Sequence, residues 1–253
     1  MSGPGTSVDL NADLGEGSPA EPELIGLVTS ANIACGGHAG DAESMRAGVA
    51  AALAVGAAVG AHPGYDDRAH FGRRELTLSP GAVRTLILRQ VGALREIARP
   101  LGAALAHVKP HGALYNQAAR DPALAVAIAA AVREIDPNLI LVGLAGSELM
   151  LAGAAAGLQV AQEVFADRTY QADGSLTART APQPFVAGEE AAVAQVLAMV
   201  ADGKIRATDG TVLAVRADTV CLHGDNPRAA AFARRLRSAL GAAGIAVAPV
   251  RAR

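Results

Sequence analysis

Short aliphatic runs alternate along the chain with longer alanine-rich segments of helical period. This alternation is typical of repeated βα units, in which helices cover a sheet of parallel strands. Seven runs predict strands at residues 7–14, 31–36, 57–63, 104–110, 139–145, 158–166 and 219–223, with a weaker eighth at 245–250. We expect an α/β fold, a TIM-like (β/α) barrel of about seven parallel strands. A doubly wound open sheet is the alternative, because strand order cannot be read from the pattern.

The segments between these runs predict helices. Their expected bounds are 41–55, 79–99, 122–135, 147–156, 189–201 and 227–243. Ser79-Pro80 and Asp121-Pro122 each place a capping residue before a proline at the first helical position. Two polar segments rich in glycine and proline, 64–78 and 168–188, interrupt the alternation. Long loops of this kind after barrel strands commonly carry substrate contacts.

A pair of shorter runs, 205–207 and 212–215, flanks the dipeptide Asp209-Gly210. This dipeptide favours a tight hairpin turn, so we expect a small hairpin near residues 204–216, outside the barrel. No linker-like stretch or change of composition divides the chain. Residues 1–253 are therefore expected to form a single domain.

Composition narrows the partners to small molecules. The formal net charge is −2, which provides no basic field for nucleic acid or anionic lipid, and aromatic residues make up only 3% of the chain. The most apolar stretch, 47–61, is shorter than the roughly 20 residues of a membrane span. The first residues lack the pattern of a signal peptide, so we expect a cytoplasmic protein in which Cys35 and Cys221 are reduced and buried.

Titratable side chains cluster where the predicted strands end. In the first strand, Asp9, Asn11 and Asp13 alternate with aliphatic residues and should share the face toward the barrel axis. Carboxylates in a barrel interior are costly unless they are paired or bind something. The row predicts either a binding site or a hydrogen-bonded structural network.

The other strand ends carry further candidates. They are His38 and Asp41, His62, the group His107, Lys109 and His111, the pair Glu163 and Arg168, and the pair His223 and Asp225. Of the six histidines, only His70 falls outside these segments. His107 lies deepest in its strand and is expected to be a hydrogen-bonded core histidine. Asp41 is expected to cap the helix that follows it.

The absence of several known motifs argues against particular kinds of active site. The chain has no P-loop, no Gly-x-Gly-x-x-Gly opening a helix and no Gly-x-Ser-x-Gly, which argues against classical nucleotide-binding and serine-hydrolase sites. An ATP site without a motif stays open. Imidazole and carboxylate groups suit zinc or manganese. If a metal is bound, the expected ligands are Asp13, His38 and His62.

At these same segments the chain resembles the LamB/YcsF family. The matching stretches are 9–16, 30–41, 60–64, 71–74, 107–116, 163–168 and 221–225. The resemblance implies a distorted barrel of the glycoside hydrolase/deacetylase type. It also implies hydrolytic opening of 5-oxo-L-proline to L-glutamate with ATP, with or without Mg²⁺, and with two partner subunits, B and C (PxpB and PxpC). Gly37 and Asp66 depart from the family, which usually has Phe at the first position and Pro near the second.

The resemblance and the clustering together assign roles. Lys109 and Arg168 are expected to bind anionic groups of substrate or phosphate, Asp13 or Glu163 to act as general base, and His62 or His111 to give a proton to the ring nitrogen. Further substrate contacts are expected from Asn11, Asn32, His38, His223 and Asp225. Two other functions stay open, a metal-dependent deacetylase or amidohydrolase that needs no ATP and a non-catalytic lactam-binding subunit. Self-association into a homo-oligomer also stays open.

Overall fold

The computed structural model describes residues 7–222 and 228–250. The strands are β1 (Ser7–Leu14), β2 (Ser30–Ala34), β3 (Ala58–His62), β4 (His107–Val108), β5 (Ile140–Leu144), β6 (Gln159–Phe165), β7 (Lys204–Arg206), β8 (Val212–Ala214), β9 (Thr219–Leu222) and β10 (Ala246–Val247). The α-helices are α1 (Glu21–Leu24), α2 (Ala42–Val55), α3 (Pro80–Ala98), α4 (Gly112–Ala118), α5 (Pro122–Ile135), α6 (Glu148–Ala155), α7 (Glu189–Ala201) and α8 (Ala229–Ala242).

Seven parallel strands close into a barrel. The order is β1-β2-β3-β4-β5-β6-β9, and β9 pairs with both β6 and β1. Thr219 of β9 lies opposite Glu163 on one side and Asp9 on the other. The closed barrel confirms the predicted fold class and excludes the open sheet. The weak eighth run, β10, pairs only with the first two residues of β1 and does not lie between β9 and β1.

Alternation in β1 separates an apolar wall from a polar interior. Leu10 and Ala12 are fully buried in the hydrophobic core that the helices cover. Asp9, Asn11 and Asp13 instead make side-chain contacts to other strands across the barrel. The polar row therefore lies inside the barrel, and the covering helices depend on the aliphatic positions between its members.

Strand β4 is shorter than the predicted run. It spans His107–Val108 rather than 104–110. At its carboxyl end, Pro110 has no N–H to continue the ladder. The backbone nevertheless stays beside β3, since Lys109 N–H donates to the Ala61 carbonyl and His111 N–H to the Pro63 carbonyl. Helix α4 begins directly afterwards at Gly112, a residue with φ of 56°. The periodicity did not predict this short helix or α1.

Two further features complete the fold. Strands β7 and β8 form an antiparallel hairpin that turns at Asp209-Gly210. Cys35 and Cys221 are buried and unbridged. Among the described residues, no helix is both long and apolar enough to cross a membrane.

The barrel interior requires a glycine next to His107. Gly60 pairs with His107 in the sheet, and a Cβ on Gly60 would overlap the His107 ring. We expect Gly60→Ala to lower the free energy of unfolding by about 1–3 kcal/mol through overpacking. Chemical denaturation measures this change.

Gly92→Ala is the matched control, because Gly92 lies within α3 and a Cβ there meets nothing within 4 Å. It should raise stability by about 0.5–1 kcal/mol through helix propensity. Equal effects of the two substitutions would contradict the packing of His107 against Gly60.

Candidate active site

The deepest polar group in the barrel is a satisfied carboxylate. Asp9 accepts hydrogen bonds from the hydroxyls of Thr219 at 2.5 Å, Thr29 at 2.6 Å and Ser30 at 2.7 Å. Burial raises the pKa of Asp9, and these three donors oppose the shift. Asp9 therefore ties three strands together and offers no free oxygen to a ligand.

Two asparagines form the next layer. Asn11 donates to Glu163 and Thr219 and accepts from Asn32 at 2.7 Å. The Nε2 atom of His107 lies 2.7 Å from the Asn32 side-chain oxygen. Burial lowers the pKa of His107 to about 3, so the ring is neutral and donates to Asn32. His107 is placed as expected of a core histidine, and the amides of Asn11 and Asn32 already have partners inside the barrel.

Lys109 lies at the centre of the interior. Its Nζ atom is 2.8 Å from Glu163 Oε1, 3.1 Å from Asp13 Oδ1, 3.0 Å from Asn11 Oδ1 and 3.1 Å from Cys221 Sγ. Burial disfavours its charge, but the two carboxylates outweigh burial and hold the pKa of Lys109 well above its usual value. An ammonium has three N–H donors, so these four neighbours occupy Lys109 fully.

The two carboxylates beside Lys109 differ in access. The Glu163 side chain is fully buried, whereas the Asp13 side chain is 13% exposed. Asp13 Oδ1 also accepts from Asn32, and Asp13 Oδ2 lies 3.3 Å from His62 Nε2. Asp13 therefore stands at the mouth of the barrel, between the buried lysine and a group of histidines.

This group, which we term the histidine cluster, consists of Glu16, His38, His62 and His111. The four side chains come from the segment after β1, the segment after β2, the end of β3 and the segment after β4. One donor atom from each lies within 4.8 Å of all the others. The closed barrel brings the ends of neighbouring strands together and so explains why residues so distant in sequence converge.

Backbone carbonyls orient two of these rings. His62 Nδ1 lies 2.7 Å from the Lys109 carbonyl oxygen, and His111 Nε2 lies 3.0 Å from that of Phe71. A carbonyl can only accept, so each ring places its N–H there when it is neutral. The remaining nitrogens, His62 Nε2 and His111 Nδ1, face each other at 3.0 Å.

The surroundings shift the pKa values in the histidine cluster in different directions. Burial lowers the pKa of His38 to about 3 and that of His111 well below its usual value. Burial also acts on His62, but the Asp13 carboxylate outweighs it and raises the His62 pKa. Burial and Asp13 both raise the pKa of Glu16. His38 and His111 are thus neutral imidazoles, and His62 is the member that most readily takes a positive charge.

The loop at 64–78 packs against the histidine cluster. The rings of His38 and His111 stack with centroids 3.6 Å apart, and Phe71 meets both edge-on at 5.5 Å. Phe71 has a left-handed backbone with φ of 54°, which directs its carbonyl to His111. A Cβ on Gly72 would lie 2.7 Å from His38 Cβ, so the loop can approach this closely only with a glycine there.

Gly37 and Asp66 both lie beside Gln90. This buried side chain donates to the Gly64 carbonyl at 2.7 Å and accepts from the Gly64 N–H at 3.0 Å. It also donates to Asp66 at 3.3 Å. A Cβ on Gly37 would overlap Gln90. Gln90 therefore forms the wall beside residue 37, and a side chain at that position would require it to move.

Arg168 was expected to bind an anionic group of substrate or phosphate, but in the structure it contacts backbone carbonyls of its own loop. Its guanidinium donates to the carbonyl oxygens of Pro184 and Thr177 and lies over the Phe185 ring. These contacts hold the loop at 168–188 in place. His223 and Asp225, also expected to bind substrate, lie outside the described residues.

Sequence reasoning missed Glu16 and Phe71 as members of the site. Glu16 follows β1 after Gly15, whose φ of 74° turns the chain back over the barrel mouth. Its position within the polar run 9–16 was the available signal. For Phe71 the signal was the family match at 71–74; the role of its carbonyl had none, because any residue type supplies one.

The protein is a closed parallel α/β barrel. Its polar interior leads to a histidine cluster at the carboxyl ends of the strands. The chain belongs to the LamB/YcsF family, whose model matches residues 8–253. This finding confirms the resemblance drawn from the sequence.

Named relatives cover nearly the whole chain. A protein from Methylococcus capsulatus that is named as the A subunit of 5-oxoprolinase is 56% identical over 247 residues, 96% of this chain and 95% of that one. The crystal structure of a lactam utilization protein from Thermus thermophilus is 46% identical, with a TM-score of 0.89 over 98% of this chain and 100% of that chain. The peptidoglycan deacetylase PdaC from Bacillus subtilis has a TM-score of 0.51 at 13% identity, covering 99% of this chain and 90% of that chain. This last similarity concerns the fold alone.

The buried charge balance can be tested by neutralising Lys109. Lys109→Met keeps the length of the side chain but leaves Asp13 and Glu163 without their cation. We expect a loss of about 3–5 kcal/mol in the free energy of unfolding, measured by urea denaturation. Adding Glu163→Gln should recover part of that loss, because one of the two uncompensated carboxylates becomes neutral.

Lys204→Met serves as the control, since Lys204 is exposed in β7 and should change stability by less than about 0.5 kcal/mol. Additive effects of Lys109→Met and Glu163→Gln would contradict a direct coupling between the two side chains.

Proposed function

We propose that this chain is the A subunit of a 5-oxoprolinase, which opens 5-oxo-L-proline to L-glutamate with ATP and the partner subunits B and C (PxpB and PxpC). The named relatives support this proposal through their identity and coverage. The observation that carries it is the partly exposed carboxylate of Asp13, held between the Lys109 ammonium and the histidine cluster.

The substrate explains why the reaction needs ATP. A five-membered lactam is resonance-stabilised and a poor electrophile. Transfer of a phosphoryl group to the amide oxygen makes the ring carbon open to attack by water. The water oxygen then bonds to that carbon, the carbon–nitrogen bond breaks, and the ring nitrogen takes up a proton. The acyl phosphate that remains is hydrolysed by a second water, which releases L-glutamate and inorganic phosphate.

In this proposal Asp13 is the general base. It is more exposed than Asp9 or Glu163, which are almost completely buried and hydrogen-bonded. Lys109 favours the ionised form of Asp13, so the carboxylate can accept a proton from water. The same carboxyl group then returns that proton to the ring nitrogen. Glu163 is the second carboxylate that pairs with Lys109. It acts as a positioning residue that holds Lys109 beside Asp13.

The remaining expected roles are assigned within the same proposal. Lys109 can bind an anionic group only if it releases one of its present partners, so we give it the role of holding Asp13 ionised. Asp13 holds the proton taken from water at the barrel mouth, and protonation of the leaving nitrogen is therefore given to Asp13. The wall formed by Phe71 and His38 would border the bound lactam.

Asp13→Asn tests the assignment. We expect ATP-dependent glutamate release by the reconstituted complex to fall by at least about 10²-fold, because an amide cannot accept the proton. Thermal melting checks that the variant is folded. Asp66→Asn is the control, since Asp66 is an exposed carboxylate in the loop beside the site and should leave turnover unchanged. Near-normal turnover in folded Asp13→Asn protein would refute the proposed base.

Omission of ATP separates the proposal from its alternatives. The complex should release no glutamate from 5-oxoproline when ATP is left out, because the unactivated lactam does not react. Release without ATP would instead support an amidohydrolase. If the isolated chain binds 5-oxoproline by calorimetry while no substitution at Asp13 or Lys109 lowers turnover of the complex, the chain is a non-catalytic lactam-binding subunit.

A further inference from the structure

We propose that the histidine cluster of Glu16, His38, His62 and His111 is a binding site for one divalent transition-metal ion of the zinc type. The sequence suggested Asp13, His38 and His62 as ligands if a metal is bound. The structure replaces Asp13 with Glu16 and adds His111. The inference concerns binding by this chain and does not depend on the proposed lactam reaction.

The spacing of the donor atoms fits such an ion. His62 Nε2 and His111 Nδ1 are 3.0 Å apart, and Glu16 Oε1 lies 3.3 Å from His111 Nδ1 and 3.8 Å from His62 Nε2. Glu16 Oε1 is 2.8 Å from His38 Nε2. Tetrahedral zinc with bonds of about 2.0–2.1 Å places its ligand atoms roughly 3.3 Å apart. These four separations lie on both sides of that value, and all the ligand atoms lie within 4.8 Å of one another.

The orientation of the rings is a second, independent argument. The carbonyls of Lys109 and Phe71 take the N–H groups of His62 and His111, which leaves two lone pairs pointing at each other. Two lone pairs at 3.0 Å repel unless a proton or a metal ion lies between them. Histidine ligands of metals commonly donate their other ring N–H to a carbonyl or carboxylate in this way.

His38 completes the set. The Nδ1 atom of this buried ring has no hydrogen-bond partner among the described residues, and Nε2 points at Glu16. A metal ion between Nε2 and Glu16 would replace that hydrogen bond and leave the ring proton on Nδ1. His38 stacks parallel to His111, so one of the two rings tilts for both nitrogens to reach the same ion.

The chemistry of the donors selects the class of ion. Three imidazole nitrogens and one carboxylate oxygen suit zinc and neighbouring transition metals, whereas Mg²⁺ and Ca²⁺ prefer oxygen ligands. The three histidines are at most 5% exposed, but the Glu16 side chain is 14% exposed. The Asp13 carboxylate lies beside the cluster on the same partly open side. A bound ion would therefore be reachable by a small ligand from the barrel mouth.

The competing explanation is a proton shared within the histidine cluster, with His62 as imidazolium. To distinguish the two, the full chain is purified without added metal, treated with a chelator and titrated with Zn²⁺ by calorimetry. Substitution with Co²⁺ reports the ligand field through visible absorption. We expect one ion per chain and a cobalt spectrum typical of four-coordinate nitrogen and oxygen ligands.

Glu16→Gln and His111→Ala should each weaken Zn²⁺ binding by at least about 10–100-fold. His70→Ala is the matched control, since His70 is half exposed and pairs with Asp67 away from the histidine cluster. It should bind Zn²⁺ as the unmodified chain does. Glu16→Gln changes little in volume, so it keeps the test valid if His111→Ala fails to fold.

The proposal is overturned if the folded, unmodified chain takes up no stoichiometric Zn²⁺, or if Glu16→Gln binds Zn²⁺ with unchanged affinity. Zn²⁺ binding lost in Glu16→Gln, together with no ATP-dependent glutamate release from the unmodified complex, would support the site and refute the proposed function. Glutamate release by a complex whose chain binds no metal would do the reverse.

Discussion

The buried ammonium of Lys109 is the constraint on which the interior of this barrel depends. Charges buried in a barrel interior lose most of their contact with solvent, so Asp13 and Glu163 are stabilised as carboxylates by a neighbouring cation. Lys109 lies within hydrogen-bonding distance of both carboxylates and of Asn11. Breaking such a group costs more than any surface ion pair, because the charges left behind have no alternative partner. The lysine therefore couples the stability of the barrel to the ionisation of the residue at its mouth.

The polar interior changes in character from bottom to top. Near the start of β1, Asp9 is saturated by three hydroxyl donors, and Asn11 and Asn32 pass hydrogen bonds from strand to strand. Near the mouth, the histidine cluster has more acceptor nitrogens and oxygens than donors. The hydrogen-bonded groups near the start of β1 fix the geometry of the strands. The acceptors at the barrel mouth that lack a donor are the groups to which an ion, a proton or a substrate can bind.

Backbone groups contribute as much to this site as side chains do. The Lys109 and Phe71 carbonyls set the tautomers of His62 and His111, and the glycines at positions 60 and 72 let His107 and His38 fit closely. Gln90 fills the space beside Gly37 and holds Gly64 in place. These contacts keep a packed wall at Gly37 and Gly64.

The sequence by itself determined the number of parallel barrel strands, the positions of the main helices and the inward row Asp9, Asn11 and Asp13. Those features follow from local periodicity, capping and alternation, which depend on neighbours in the chain. It also placed His38, His62 and His111 at strand ends. Only the tertiary structure decided that all the N–H donors of the Lys109 ammonium bond to groups inside the barrel. It also decided that Arg168 holds a loop and that Glu16 joins the three histidines. Each of these depends on distances between segments far apart in sequence, which are set when the barrel closes and which no local pattern records.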